Sequence, residues 1–249
     1  MELTERWRLT DRACDEHTRQ VWNVRRASAA ASETAQAILY TGDADANDFE
    51  YFARHMAILT HQPSGFATLV DGSLDARQPW FVCKKLDCVA LDQWLRNCAA
   101  LPPRPTLLWI LRKVVSAVRQ LHRLGYVHGN ISPQAIQIAD SRHVLLEGLE
   151  ACEPVGAAVT MTRQPTIFDP PEMCQGELLE ASSAQDTFAV GVLGVQLLGK
   201  TFGESKVGKL LLHPDCERRP TSHELLPLLL ELELALFGQY LADDNVIAA

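Results

Sequence analysis

Apolar and polar positions alternate along Arg19–Ala27, with Val21, Asn23 and Arg25 on one side and Trp22 and Val24 on the other. A period of two predicts a β-strand there. Thr34–Tyr40 predicts a second strand, closed by the turn signal Thr41-Gly42-Asp43. Asn47 is placed to cap a helix over Asp48–Thr60, in which Phe49, Phe52, Met56 and Leu59 recur on one face. Phe66–Val70 and Pro79–Cys83 predict two more strands, with Asp71-Gly72 as the turn between them. From Leu91 onward the helical period dominates. Leu91–Cys98 predicts a short helix. Thr106–Leu124 predicts a long one, with Leu107, Ile110, Leu111, Val114, Val115, Val118 and Leu121 in a broad stripe and Gly125 as its stop. Two short strands are expected at Ile136–Ile138 and His143–Leu146, a loop over Cys152–Pro171, and apolar helices over Asp186–Leu198 and Ser222–Leu241. Strands with one helix, followed by a mostly helical stretch, predict an α+β architecture in two parts.

Composition narrows the class without naming a function. The 249 residues are 47% hydrophobic and 22% charged, enough to build a core. A net charge of −8 excludes a broad basic footprint, so no nucleic-acid partner is expected. The seven cysteines include no C-x-x-C pair and are expected to be reduced thiols. The charged start MELTERWRLTDR lacks the apolar segment of a signal peptide. The longest apolar run, Thr187–Leu198, is too short to span a bilayer. These features lead to the expectation of a cytoplasmic protein with no membrane partner.

One segment carries a more specific signal. Leu121–Ile138, LHRLGYVHGNISPQAIQI, resembles the catalytic loop of eukaryotic-type protein kinases, whose pattern is LH..G..HRDLKP.NI.I. Pro170-Pro171-Glu172 resembles the APE motif, Asp186–Val192 the central helix of the kinase C-lobe, and Arg219-Pro220-Thr221 the late RPT motif. Upstream, Arg54–Leu59 resembles the end of the αC helix, and Phe81-Val82-Cys83 the last N-lobe strand. The intervals Asn130–Gly148 and Gly148–Glu172, 18 and 24 positions, are close to the family's. Small-molecule phosphotransferases share a similar loop but generally lack the APE and RPT elements. The resemblance implies a kinase-like, two-lobed α+β fold. A small, mainly antiparallel β N-lobe with an αC-like helix would occupy 1–86, and a mainly helical C-lobe 87–249. The interval Glu172–Arg219 is only 47 positions, which implies abbreviated late helices.

Carried over residue by residue, the resemblance implies a site without its chemistry. Phosphoryl transfer depends on positioning and on neutralising charge. The catalytic carboxylate position holds Asn130, an amide that cannot accept a proton at neutral pH. The Lys expected two positions on is Ser132, and the Mg²⁺-binding Asn is Ala135. The metal-binding Asp of the DFG triplet is replaced in Gly148-Leu149-Glu150, at Gly148. The strand Lys aligns with Leu39 and the αC Glu with His55. No glycine precedes Gly42, so the Gly-rich phosphate loop is missing from the pattern. The resemblance assigns structural jobs to His128 beneath the loop, to Glu172 with Arg219 as an ion pair, and to Asp186 on the loop backbone.

The expectation is a pseudokinase, with no catalytic residue, no cofactor and no ATP–Mg²⁺ binding, that serves as a scaffold or allosteric regulator for a protein partner. A divergent phosphotransferase with a nonstandard nucleotide site is the alternative, and a metal-free ligand in the old cleft is a third reading. Several residues carry two readings. Glu147 and Glu150 are replacement Mg²⁺ ligands or ordinary loop carboxylates, and Lys84 or Lys85 is a substitute for the strand Lys or a solvent-facing ammonium. Thr160, Thr162 and Thr166 are phosphorylation candidates, although Gly129 replaces the Arg that would receive a phosphate. Cys83 is a packing residue or a reactive thiol. The Leu-rich tail Glu224–Leu241 is a buried terminal helix or a surface through which the chain forms oligomers.

Overall fold

The computed structural model describes residues 2–15, 18–28, 35–42, 46–139, 143–159, 164–175 and 179–240. The chain divides into two compact units, Met1–Asp87 and Cys88–Ala249.

The first unit contains α1 (Leu3–Arg6), β1 (Trp7–Asp15), β2 (Arg19–Arg26), β3 (Ala35–Tyr40), α2 (Ala46–Thr60), β4 (Leu69–Ser73) and β5 (Trp80–Lys84). The strands form one antiparallel sheet in the order β1-β2-β3-β5-β4. Ala35, Ala37 and Leu39 of β3 and Trp80 and Val82 of β5 lie on one face, packed with Leu3, Trp7 and Val24. On the other face, Tyr40 and Phe81 meet α2 through ring contacts with Phe49, Phe52 and His55. Asp71 ties β4 to the N-terminus by accepting from Trp7 Nε1 at 2.8 Å and Arg6 Nη1 at 2.7 Å.

Two expectations change here. Asp71-Gly72 is not the turn between strands but lies inside β4, beside a register shift, and the chain reverses over 74–79. Gly72 is required by close approach: an added Cβ would lie 2.7 Å from Met56 Cε and 3.0 Å from Phe81 Cβ. The strand β1 was not expected. After Trp7 its residues are exposed, and two register shifts break the alternation.

The second unit contains β6 (Val89–Ala90), α3 (Leu91–Asn97), α4 (Arg104–Arg123), β7 (Tyr126–Val127), β8 (Ile136–Ile138), β9 (Val144–Leu146), β10 (Glu153–Pro154), β11 (Ala158–Val159), β12 (Leu179–Glu180), α5 (Ser183–Leu198), α6 (Lys200–Glu204), α7 (Lys206–Leu211) and α8 (Ser222–Phe237). The expected apolar stripe of α4 is buried throughout, and α5 and α8 pack against it. Gly125, at φ +84, turns the chain out of α4. Reciprocal capping boxes start α5 (Ser182 with Gln185) and α8 (Thr221 with Glu224). α8 ends at Phe237, short of the expected Leu241, because Gly238 adopts a left-handed C-cap. The interval after α5 holds the short helices α6 and α7 and one 3₁₀ turn at Cys216–Arg218, which the sequence pattern had not suggested. The fold is α+β, a five-stranded antiparallel sheet followed by a mainly helical part, the class expected for a kinase-like chain. Among the described residues no helix is long and apolar enough to cross a membrane.

Candidate functional site

The loop from β7 to β8, residues 128–135, is held from below by Asp186 in the first turn of α5. Its Oδ2 accepts from the backbone N–H of His128 at 2.7 Å and its Oδ1 from that of Gly129 at 2.9 Å. His122 Nε2 donates to Oδ2 at 2.8 Å, and His122 Nδ1 lies 2.9 Å from Ser222 Oγ on α8. Burial is the largest influence on Asp186 and would raise its pKa. The hydrogen bond and charge of His122, with smaller help from His128, outweigh it and hold the carboxyl below its usual range. One buried carboxylate thus joins α4, the loop and α5, and through His122 reaches α8.

His128 is 0% exposed. Its Nε2 donates to the carbonyl of Glu147 at 2.8 Å, and its Nδ1 accepts from the N–H of Asn130 at 3.3 Å. That pattern requires the neutral ring with its proton on Nε2. Burial lowers the His128 pKa, and the charge of Asp186 opposes this without reversing it. The loop backbone is therefore pinned at residues 128–130 by two buried side chains.

This frame presents little chemistry. Asn130 and Gln134 are exposed, Ser132 is half-buried, and Ala135 is buried. Gly148 sits at φ +95, with the His128 ring 3.4 Å from where a Cβ would be. Asn130, Ser132 and Gln134 line a pocket of about 290 Å³ together with Ile167, Phe168 and Asp169. Asp169, 8% exposed, accepts from the N–H of Thr166 at 2.6 Å and from its hydroxyl at 2.8 Å. Neither Asp169 nor His122 was singled out by sequence; a Thr three residues ahead of an Asp was the one local sign of the Asp169 turn. Among the described residues, no group of three His, Cys, Asp or Glu side chains is arranged to hold a metal.

The first unit separates two of the aligned residues. Leu39 was aligned with the strand Lys and His55 with its helical partner. Leu39 is 6% exposed and belongs to the Trp7–Trp80 face of the sheet, away from α2. The His55 ring packs at a tilt against Phe81 on the opposite face, with ring centroids 5.0 Å apart. Successive side chains of a strand alternate faces, so Tyr40 is the neighbour that meets α2. Lys84 is exposed and Lys85 half-buried at the end of β5. Burial pushes the Cys83 thiol up to about 12, which suits a packing role.

Glu172 and Arg219 meet in a two-pronged ion pair, at 2.7 and 2.8 Å. Arg219 also donates to the carbonyls of His213, Ala184 and Pro214, and its guanidinium lies 4.9 Å from the Phe188 ring centroid. This fastens the segment before α5 to the segment before α8. Glu147 and Glu150 are exposed and engaged in other contacts. Thr166 is committed to Asp169, whereas Thr160 and Thr162 lie outside the described residues.

No family model matches the chain. Among curated proteins, it is similar to the serine/threonine-protein kinase PknL of Mycobacterium tuberculosis (strain ATCC 25618 / H37Rv), with 28% identity over 163 residues. PknL of Mycobacterium bovis (strain ATCC BAA-935 / AF2122/97) matches at the same 28%. The likeness is to a protein kinase. The match covers 64% of this chain and 40% of the length of these relatives. It supports a kinase-like chain, in keeping with the α+β fold.

Proposed function

We propose that this chain is a pseudokinase: a kinase-like module that transfers no phosphate, binds no ATP–Mg²⁺, and acts as a scaffold or allosteric regulator for a protein partner. The observation behind this reading is the contrast at residues 128–135. The loop backbone is held by Asp186 and His128, while its presented groups are the Asn130 amide, the Ser132 hydroxyl and the Ala135 methyl. A missing general base alone costs about 10²–10⁴ in rate. Mg²⁺ needs oxygen ligands that Ala135 and Gly148 do not carry. The relatives' printed name makes them kinases, so the reading is of a fold kept after its chemistry was released. The cytoplasm is the proposed location. The exposed Leu234 and Leu236 on α8 are candidates for contact with a second copy or with the partner.

A Mg²⁺-dependent thermal shift with ATP tests the proposal. At 100-fold over Kd a bound nucleotide adds about 2.7 kcal/mol; no Mg²⁺-dependent rise is expected. The rival reading, a divergent phosphotransferase, draws on Asp169, a carboxylate lining the same pocket as Asn130. Under that reading Asp169→Asn would remove both the thermal rise and any transfer. Capture of partners from native cells, compared between wild type and a variant altered at the α8 surface, addresses the scaffold role.

A further inference from the structure

The helical unit has a second depression, which shares no lining residue with the pocket at 128–135. His122 near the end of α4, Val155, and Ser222 at the start of α8 are among the residues around its volume of about 240 Å³. This lies below the roughly 300–1,000 Å³ of pockets that take drug-sized ligands, so it suits a small group. Its wall holds a hydroxyl and an imidazole, backed by a buried carboxylate.

Ser222 Oγ lies 2.9 Å from His122 Nδ1, and His122 Nε2 donates to Asp186 Oδ2 at 2.8 Å. Both distances fall within the roughly 2.6–3.2 Å reach of a nucleophile, its base and the group that orients the base. Because Nε2 carries the proton, Nδ1 carries the lone pair and accepts from the Ser222 hydroxyl. Hydroxyl, imidazole and carboxylate thus stand in the order of a Ser-His-Asp triad, with the two ring nitrogens exchanged. Such a triad is recognised by geometry and roles, not by order along the chain. The side chains of His122 and Asp186 are 8% and 1% exposed. Asp186 is itself fixed beneath the ring by the N–H groups of His128 and Gly129. A backbone donor stands beside the hydroxyl. The capping box of α8 engages the N–H groups of Thr221 and Glu224, whereas that of Ser222 has no acceptor among the described residues.

We propose that Ser222 is a nucleophile that cleaves small carboxylic esters, with His122 as its general base and Asp186 positioning the ring. Ser222 Oγ adds to the ester carbonyl carbon while its proton passes to His122 Nδ1. The carbonyl oxygen takes up the electron pair and is met by the Ser222 N–H. The bond from carbon to the alcohol oxygen then breaks, and the alcohol leaves with the proton from Nδ1. Water repeats the sequence on the acyl-serine, which releases the acid and returns the proton to Oγ. The small pocket restricts the acyl group to a short one. The reaction needs neither nucleotide nor metal and uses no side chain to which phosphoryl transfer was assigned, so it stands apart from the pseudokinase reading.

Two assays without ATP or Mg²⁺ test the proposal independently of any nucleotide site: labelling by a fluorophosphonate probe, located by peptide mass analysis, and hydrolysis of p-nitrophenyl acetate. Labelling of Ser222 ahead of the other serines and steady release of p-nitrophenol are expected. Ser222→Ala should abolish that label and lower the steady rate about 10²-fold or more. The α8 capping box does not use the Ser222 hydroxyl, so this variant keeps the helix start, which circular dichroism checks. His122→Gln can still donate to Asp186 but cannot take up the serine proton, and it should slow labelling by about 10²–10⁴. Should it misfold, Ser222→Ala decides alone. No label on Ser222 in the native chain, labelling there no faster than in the urea-unfolded chain, or hydrolysis unchanged in folded Ser222→Ala overturns the proposal.

Discussion

Removing Arg219 should destabilise the helical unit far more than an exposed ion pair could. The Arg219 side chain is 0% exposed and Glu172 is 21% exposed. In Arg219→Met the Glu172 carboxylate loses both of its 2.7–2.8 Å bonds, and the carbonyls of His213, Ala184 and Pro214 each lose a donor. Breaking a buried pair costs about 3–5 kcal/mol. Because Glu172 retains some water contact, the lower end, about 3 kcal/mol, is the appropriate figure. For a chain of this length about 3 kcal/mol lowers Tm by roughly 6–12 °C. Urea denaturation of wild type, Arg219→Met, Glu172→Gln and the double variant isolates the pair as a coupling energy. A coupling within the roughly 0–1 kcal/mol of a surface ion pair would refute the reasoning, because the pair would then not be shielded from solvent.

Three further outcomes follow from the geometry. Gly72→Ala should cost about 1–3 kcal/mol through overpacking against Met56 and Phe81, and Met56→Ala in the same chain should recover part of the loss in urea titrations. His128 titrates below its ordinary 6.5 when folded. The unfolded chain therefore takes up a proton that the folded chain refuses as pH falls from about 6.5 toward the folded value, so stability is full above that window and declines within it. His128→Gln should flatten that slope, and an unchanged slope would contradict the neutral assignment. Cys83, with its thiol near 12, should resist iodoacetamide at pH 8 in the native protein and react on denaturation, as followed by peptide mass analysis.

The elements legible in the sequence were those whose own period is strong. α4 shows its buried stripe in sequence because Leu107 through Leu121 repeat at helical spacing over 20 residues. β3 and β5 are short, but Ala35–Tyr40 and Trp80–Lys84 are dense in apolar residues. β1 was hidden because only Trp7 of its nine residues is buried. α6 and α7 were hidden because they are shaped by contacts such as Phe202 against Gly208, not by a period. Leu39 was aligned as the partner of His55, yet it faces away from the sheet face on which His55 packs, and a strand's alternation of faces is not visible in motif spacing. At the loop, motif spacing brought His128, Asn130, Asp186, Glu172 and Arg219 to notice. Asp169 lines the loop's pocket only because its segment folds against residues 128–135, and the Thr166 turn was its one local sign.

The central claim is tested most directly by incubating the purified chain with ATP carrying a radiolabelled γ-phosphate, Mg²⁺ and a generic acceptor protein. A preparation with Asp169→Asn and a second purified by an unrelated route serve as controls for contaminating kinases. The account predicts that label in the chain and the acceptor stays at the control level. Transfer above that level, lost on substitution within the 128–135 pocket, would contradict it.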